Sequence, residues 1–214
     1  MMDNSRWERH YTRGRSTLSY PDENLVRLLH HELKERDRSG IRVLDNGCGS
    51  GRHLFLLHEL GTGFAAGSDY SYNALNICRE AGENNLVNCD NRALPFRDSS
   101  FDIIIAWGSL HYSLKEEARL MTEELFRILS PGGVILATLR RDNDTCLKTG
   151  EHLGGNVWRT KLNDLEGSVV SFYSEDEVLE LFGQSSGLQI GFMERSIVGD
   201  TSKVISHWIV RAEK

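Results

Sequence analysis

Three aspartates, Asp45, Asp69 and Asp90, each close a short apolar run, and Gly47, Gly49 and Gly51 follow the first of them. A carboxylate accepts several hydrogen bonds, so an acid at a strand end can hold a pair of hydroxyls or an amino group. Glycines at alternate positions let a turn take φ > 0 and leave no Cβ between its backbone and a ligand. One such aspartate is as readily a helix cap or a turn residue. Three at the ends of consecutive parallel strands line one crevice, and that is where open α/β sheets bind ligands. Trp107, Ser109, His111 and Tyr112 follow a fourth apolar run. Trp107 reads as a wall of the crevice. His111 is the best-placed base there, because imidazole titrates near neutrality; the alternative is a histidine that holds its loop by a hydrogen bond. His53 reads as a helix surface residue, and Trp158 and Arg159 as substrate contacts or as ordinary packing.

The elements that must position these groups are legible in the periodicity. The run 41–45 is a strand, the glycines form a tight turn, and Leu54, Leu56, Leu57 and Leu60 mark a helix over 51–60. A dinucleotide fingerprint would need glycine where the chain has Arg52, and a phosphate-binding P-loop would need Gly-Lys-Ser/Thr. A strand follows at 64–69, then a helix capped by Ser71 and a strand at 86–90. The run 101–106, almost wholly apolar, suits a central strand covered on both faces. A helix over 115–129 and a strand over 134–139 come next. Ser174 and Glu177 make a capping box for a helix over 175–183, and 188–198 with 203–211 alternate as an antiparallel pair. Before all this lie an arm over 1–20, rich in Arg and aromatic residues, and an amphipathic helix that starts at Pro21 and Asp22. The stretch 140–170 shows neither period and reads as an active-site cover or as disorder.

The chain has 214 residues, 39% hydrophobic and 26% charged, which suits a soluble globular protein with a single domain over 1–214. A net charge of −6 argues against nucleic acid and anionic membrane as partners. No run reaches membrane-spanning length, the N-terminus is too charged for a signal peptide, and the four cysteines lack a C-x-x-C pair. The reading is a cytoplasmic protein with reduced thiols and no metal site.

The segments 43–52, Asp69, 90–102, Leu110-His111 and 127–133 together resemble the successive motifs of the class I S-adenosylmethionine-dependent methyltransferases, of small bacterial type. The arm motif Trp-Glu-x-x-Tyr-x-x-Gly before Tyr20-Pro21 is similar to the N-terminal arm of that family. The resemblance implies a Rossmann-like α/β fold: a doubly wound, seven-stranded mixed sheet of order 3-2-1-4-5-7-6, strand 7 antiparallel, with helices on both faces. It implies S-adenosyl-L-methionine as cofactor and S-adenosyl-L-homocysteine as product. Asp69, beside Tyr70, would hold the ribose, Asp90 and Asn91 the adenine, and Asp45, Gly47, Gly49, Gly51 and Trp107 would surround the methionine portion. Arg15 and Tyr20 of the arm, with Tyr11 and Arg13 behind them, would close over it as a lid. With 140–170 as a slightly basic roof, the expected acceptor is a small polar molecule methylated at oxygen or nitrogen, with His111 as base. The alternatives are a methyltransferase of protein or nucleic acid, and a catalytically silent cofactor-binding regulator. The oligomeric state is not legible.

Overall fold

Alternate residues of the central strands point to opposite sides of the sheet, and each side is apolar. In β1 (Arg42–Asn46), Val43 faces one core and Leu44 the other; Ile103, Ile104 and Ile105 of β4 (Phe101–Ala106) divide in the same way. The structure is a computed structural model and describes residues 5–12, 17–162 and 165–214. One core receives α2 (Glu23–Leu33), α3 (Arg52–Glu59) and α4 (Tyr72–Glu80); the other receives α5 (Lys115–Ile128) and α6 (Glu175–Leu181). The caps are those the sequence specifies: the Ser71 side chain accepts from Ala74 N–H, and Ser174 with Glu177 completes a capping box.

The main sheet runs β3 (Leu86–Asn88), β2 (Phe64–Asp69), β1, β4, β5 (Leu129–Arg141), β10 (Asp200–Glu213), β9 (Gly187–Ile197). Pairing is parallel from β3 to β5, and β10 is antiparallel to both β5 and β9. This is the order and polarity expected, with β9 and β10 as the sixth and seventh strands.

The connection 140–170 is more ordered than its lack of period suggested. It carries β6 (Glu151–Gly154) and β7 (Val157–Arg159), an antiparallel hairpin that pairs with β8 (Val169–Tyr173). Arg140 pairs with both His207 of β10 and Phe172 of β8, so β8 takes the side of β5 that β4 leaves after Ala106. From there Ser171 donates its N–H to the His111 carbonyl (2.9 Å) and its hydroxyl to the Ser113 carbonyl (2.6 Å), which pins the loop after β4. The arm likewise holds a helix, α1 (Ser5–Thr12), packed on α4. Among the described residues no helix is long and apolar enough to cross a membrane, and no cluster of three His, Cys, Asp or Glu could hold a metal.

Candidate functional site

The turn after β1 is built around carbonyl and carboxylate acceptors on β2. Gly47 and Cys48 both donate N–H to the Ser68 carbonyl (2.7 and 2.9 Å), and Gly49 donates to Asp69 Oδ2 (2.9 Å). Gly47 sits at φ +79°, and a Cβ there would lie 2.5 Å from Ser109 Cβ. Asp69 also accepts from Ser71 N–H (2.8 Å), yet burial pushes its carboxyl up to about 6. Each of its oxygens keeps a second lone pair.

A narrow pocket of about 90 Å³ lies beside it, lined by Gly47, Asp69, Tyr70, Asp90, Asn91, Gly108 and Ser109 and closed by Trp7, Tyr11 and Tyr112. The arm helix makes that closure. Glu8 accepts from the N–H groups of Tyr72 (2.7 Å) and Asn73 (3.0 Å) and from the Ser71 hydroxyl (3.1 Å). It thereby places an anion at the N-terminus of α4, where the helix dipole favours one. Trp7 meets Tyr112 edge to face at 5.1 Å. Burial, reinforced by the nearby Asp69 carboxylate, raises the Tyr11 phenol well above its ordinary pKa.

On the other side of these rings opens a cleft of about 880 Å³, bordered by Gly47, Gly49, Trp107 and His111. The same cleft is reached by Thr138, Arg195 and His207 from the strand ends, and by His53 and Arg52 from α3. His111 is almost wholly buried, and its Nδ1 stands 3.4 Å from the Thr138 carbonyl. Only an N–H can bond a carbonyl, so Nε2 carries the lone pair, and it has no partner. Burial first, then Arg140 and His207, lower the His111 pKa well below the ordinary value, so the ring is neutral. His207 is lowered to about 3 by burial and by Arg140 and Arg195. Its ring lies 5.7 Å from that of His111.

The expected residues fall into four groups. Gly47, Gly49, Asp69, Tyr70, Asp90, Asn91, Trp107 and His111 do line one cavity or the other. Asp45 lies beneath, fully buried, 3.4 Å from His53 Nδ1. His53 is therefore no surface residue: its place in the first turn of α3 turns it into the cleft, with Nε2 unpartnered. Asp90 is taken up by Arg92, whose Nε, Nη2 and backbone N–H donate to its two oxygens, and that bond above all lowers its pKa. Gly51 lines neither cavity; it precedes α3 at φ +89° and packs on Cys78. Tyr20 is 85% exposed and lines neither, because its carbonyl, not its ring, is what Arg52 approaches (3.4 Å). The arm residues that line the site are Trp7, His10, Tyr11 and Leu18; Arg13 and Arg15 lie outside the described residues. From 140–170 only Leu162 and Leu165 border the cleft, so the slightly basic roof is absent among the described residues. Arg140 is instead buried against Asp144 (2.6 Å), Arg141 lies over the Phe192 and Trp208 rings, and Arg159 pairs with Glu151.

The family described as a methyltransferase domain matches residues 43–133. Two curated relatives are a mouse probable tRNA methyltransferase 9B, 38% identical over 106 residues, and an Arabidopsis thaliana tRNA (carboxymethyluridine(34)-5-O)-methyltransferase, 37% identical over 114. The matches cover 49% and 52% of this chain but 23% and 27% of those proteins, so the chain spans about a quarter of their length. Among solved structures, the Burkholderia thailandensis 1,6-didemethyltoxoflavin-N1-methyltransferase superposes with a TM-score of 0.70. It is 17% identical, with 99% of this chain and 86% of that one covered, which shows a common fold. The two curated relatives act on tRNA by name, and this contradicts the expectation of a small acceptor with nucleic acid as an unlikely partner. Net charge could not decide the point, because it does not register where the charges stand. The glycine turn, the strand order and the match over 43–133 lead to one conclusion: residues 43–133 are a methyltransferase domain, in a chain with the Rossmann-like fold of the S-adenosylmethionine-dependent methyltransferases.

Proposed function

We propose that this chain transfers a methyl group from S-adenosylmethionine to a nucleoside of tRNA. The observation that carries the proposal is the cleft of about 880 Å³ beside Gly47 and Gly49, where the rings of Trp7, Trp107 and Tyr112 stand with the guanidinium groups of Arg52 and Arg195. Aromatic faces and cations around a base-sized opening are what an unstacked nucleotide needs, since RNA is read chiefly by stacking on exposed bases and by contacts to phosphate. The tRNA methyltransferases among the relatives support the same acceptor class.

The residues on the narrow side suit the cofactor once α1 has moved aside. Asp69 would accept the ribose hydroxyls on its remaining lone pairs, and Gly47 and Gly49 would lie against the methionine portion. Arg92 already fills the Asp90 carboxylate, so the buried, unpartnered Asn91 Oδ1 is the better acceptor for the adenine amino group. When bound, the cofactor supplies an electrophilic methyl group on a sulfonium that leaves as a neutral thioether. Trp107 and Tyr112 would orient the acceptor, and alignment of this kind supplies effective molarities on the order of 10⁵ M. His111 Nε2 would accept a hydrogen bond from an N–H or O–H of the acceptor. The test is transfer of labelled methyl from S-adenosylmethionine into total tRNA, followed by digestion and mass spectrometry of the nucleosides. A methylated nucleoside is expected; label in no RNA nucleoside overturns the reading.

A further inference from the structure

The face of β9 and β10 that looks into the cleft carries cationic and imidazole groups in register. His207 stands opposite Arg140 on one side and Met193 on the other, and Arg195 stands opposite Ile205. Residues two apart share a face, so Arg195 and His207 lie together at the cleft wall. The acids of the same cleft are already engaged. Asp22 caps α2 by accepting from Asn24 N–H (2.9 Å), Glu23 pairs with Arg27 (2.6 Å), and Glu194 accepts from Asn143 Nδ2 (2.6 Å). Arg195 has no ion-pair partner among the described residues. Arg140, behind His207, is neutralised by Asp144, whose carboxylate also accepts from the N–H groups of Cys146 and Ser206 (both 2.9 Å). A guanidinium with no counter-charge among the described residues, at the wall of a cleft whose described carboxylates are engaged, is a site short of an anion.

We propose that Arg195 and His207 form a subsite for an oxyanion of the acceptor, either a carboxylate on its base or a phosphate of its strand. The subsite rests on the reading of this cleft as the acceptor site. Its neighbour His111, buried and with Nε2 unpartnered, then takes a donor hydrogen next to the anion. Where the anion is a carboxylate, its oxygen is itself the nucleophile. The O–CH3 bond forms as the S–CH3 bond breaks, the electron pair goes to sulfur, and the product is a methyl ester with no proton to remove.

The test is calorimetric titration of the full chain, saturated with S-adenosylhomocysteine, with 5-carboxymethyluridine, uridine 5′-monophosphate and uridine. One anionic ligand is expected to bind at least about tenfold more tightly than uridine, and which one it is names the source of the oxyanion. Arg195→Gln should bring that ligand to the level of uridine, while Arg195→Lys keeps part of the preference. Equal binding of all three, no binding of any, or a preference that survives Arg195→Gln overturns the subsite. Methyl transfer into tRNA, measured alongside, separates the two ideas: transfer without anion preference removes the subsite alone, and anion preference without transfer removes the RNA reading alone.

Discussion

The phenol oxygen of Tyr11 lies over Gly49 so closely that a Cβ on that glycine would stand 2.5 Å from it. Tyr11 thus fills the floor of the glycine turn, and with Trp7 it leaves only about 90 Å³ beside Asp69. A small-molecule site usually offers roughly 300 Å³ or more, so α1 has to move before the cofactor can enter.

A closed arm lowers apparent affinity by the fraction of molecules in which the site is open. Tyr11→Ala should therefore tighten S-adenosylhomocysteine binding, by about threefold or more, in calorimetric titration. Weaker binding would instead make the phenol a contact of the cofactor. Glu8→Ala, which removes the anion from the N-terminus of α4, should change affinity in the same direction as Tyr11→Ala, because both free the same helix.

Asp69 sets a pH dependence of cofactor binding. Its carboxyl titrates at about 6 in the free protein because of burial. Ribose hydroxyls bond best to the ionised form, so binding releases the proton, and affinity should rise from pH 5 to pH 7 and level off above. Asp69→Asn should bind more weakly at pH 7, by about tenfold or more, and lose the slope. A slope that persists in Asp69→Asn would place the titrating group elsewhere.

Asp144 anchors the start of the connection after β5. It is fully buried and holds Arg140, and its other bonds fix Cys146, Leu147 and Ser206. Asp144→Ala leaves a buried guanidinium without its counter-charge, which costs about 3 kcal/mol or more. Urea denaturation should show that loss, with a lowered midpoint. An unchanged midpoint would mean that the cluster relaxes to water.

How much of this was legible depends on length and on which side a residue faces. The strands β1, β2, β4 and β5, the helices α2 and α5 and the closing pair β9 and β10 are long enough for their periods to show, and the shorter β3, α3, α4 and α6 are marked by the glycine turns and caps beside them. The helix α1, of eight residues, and the strands β6 and β7, of four and three, are too short for either period, and no cap or turn marked them in the sequence reading. Their turn was not read either, although Gly154, Gly155 and Asn156 all take positive φ there, as a tight hairpin demands. His53 looked like surface because a helix wheel places it without regard to the loop before it, and the turn between Asp45 and Gly51 folds back on that face. Nothing in the spacing of the arm distinguished Tyr20, which points to solvent, from Tyr11, which fills the site. A count of charges likewise missed that the acids around the cleft are bound within the chain.

His111 decides whether the reaction uses a base. Its ring is neutral well below pH 6.5 because burial and the nearby Arg140 disfavour the cation. A group of this kind accepts a hydrogen bond readily but holds a full proton poorly, so it suits an acceptor that is already nucleophilic. With tRNA as substrate, His111→Gln should lower kcat by about tenfold to a hundredfold and leave S-adenosylhomocysteine affinity unchanged. The wild-type profile of kcat/KM should show no inflection near pH 6.5 that disappears in His111→Gln. An inflection that does disappear would show that His111 takes up the proton in spite of its burial; a fall in cofactor affinity would move it to the other side of Tyr112, into the wall of the cofactor pocket.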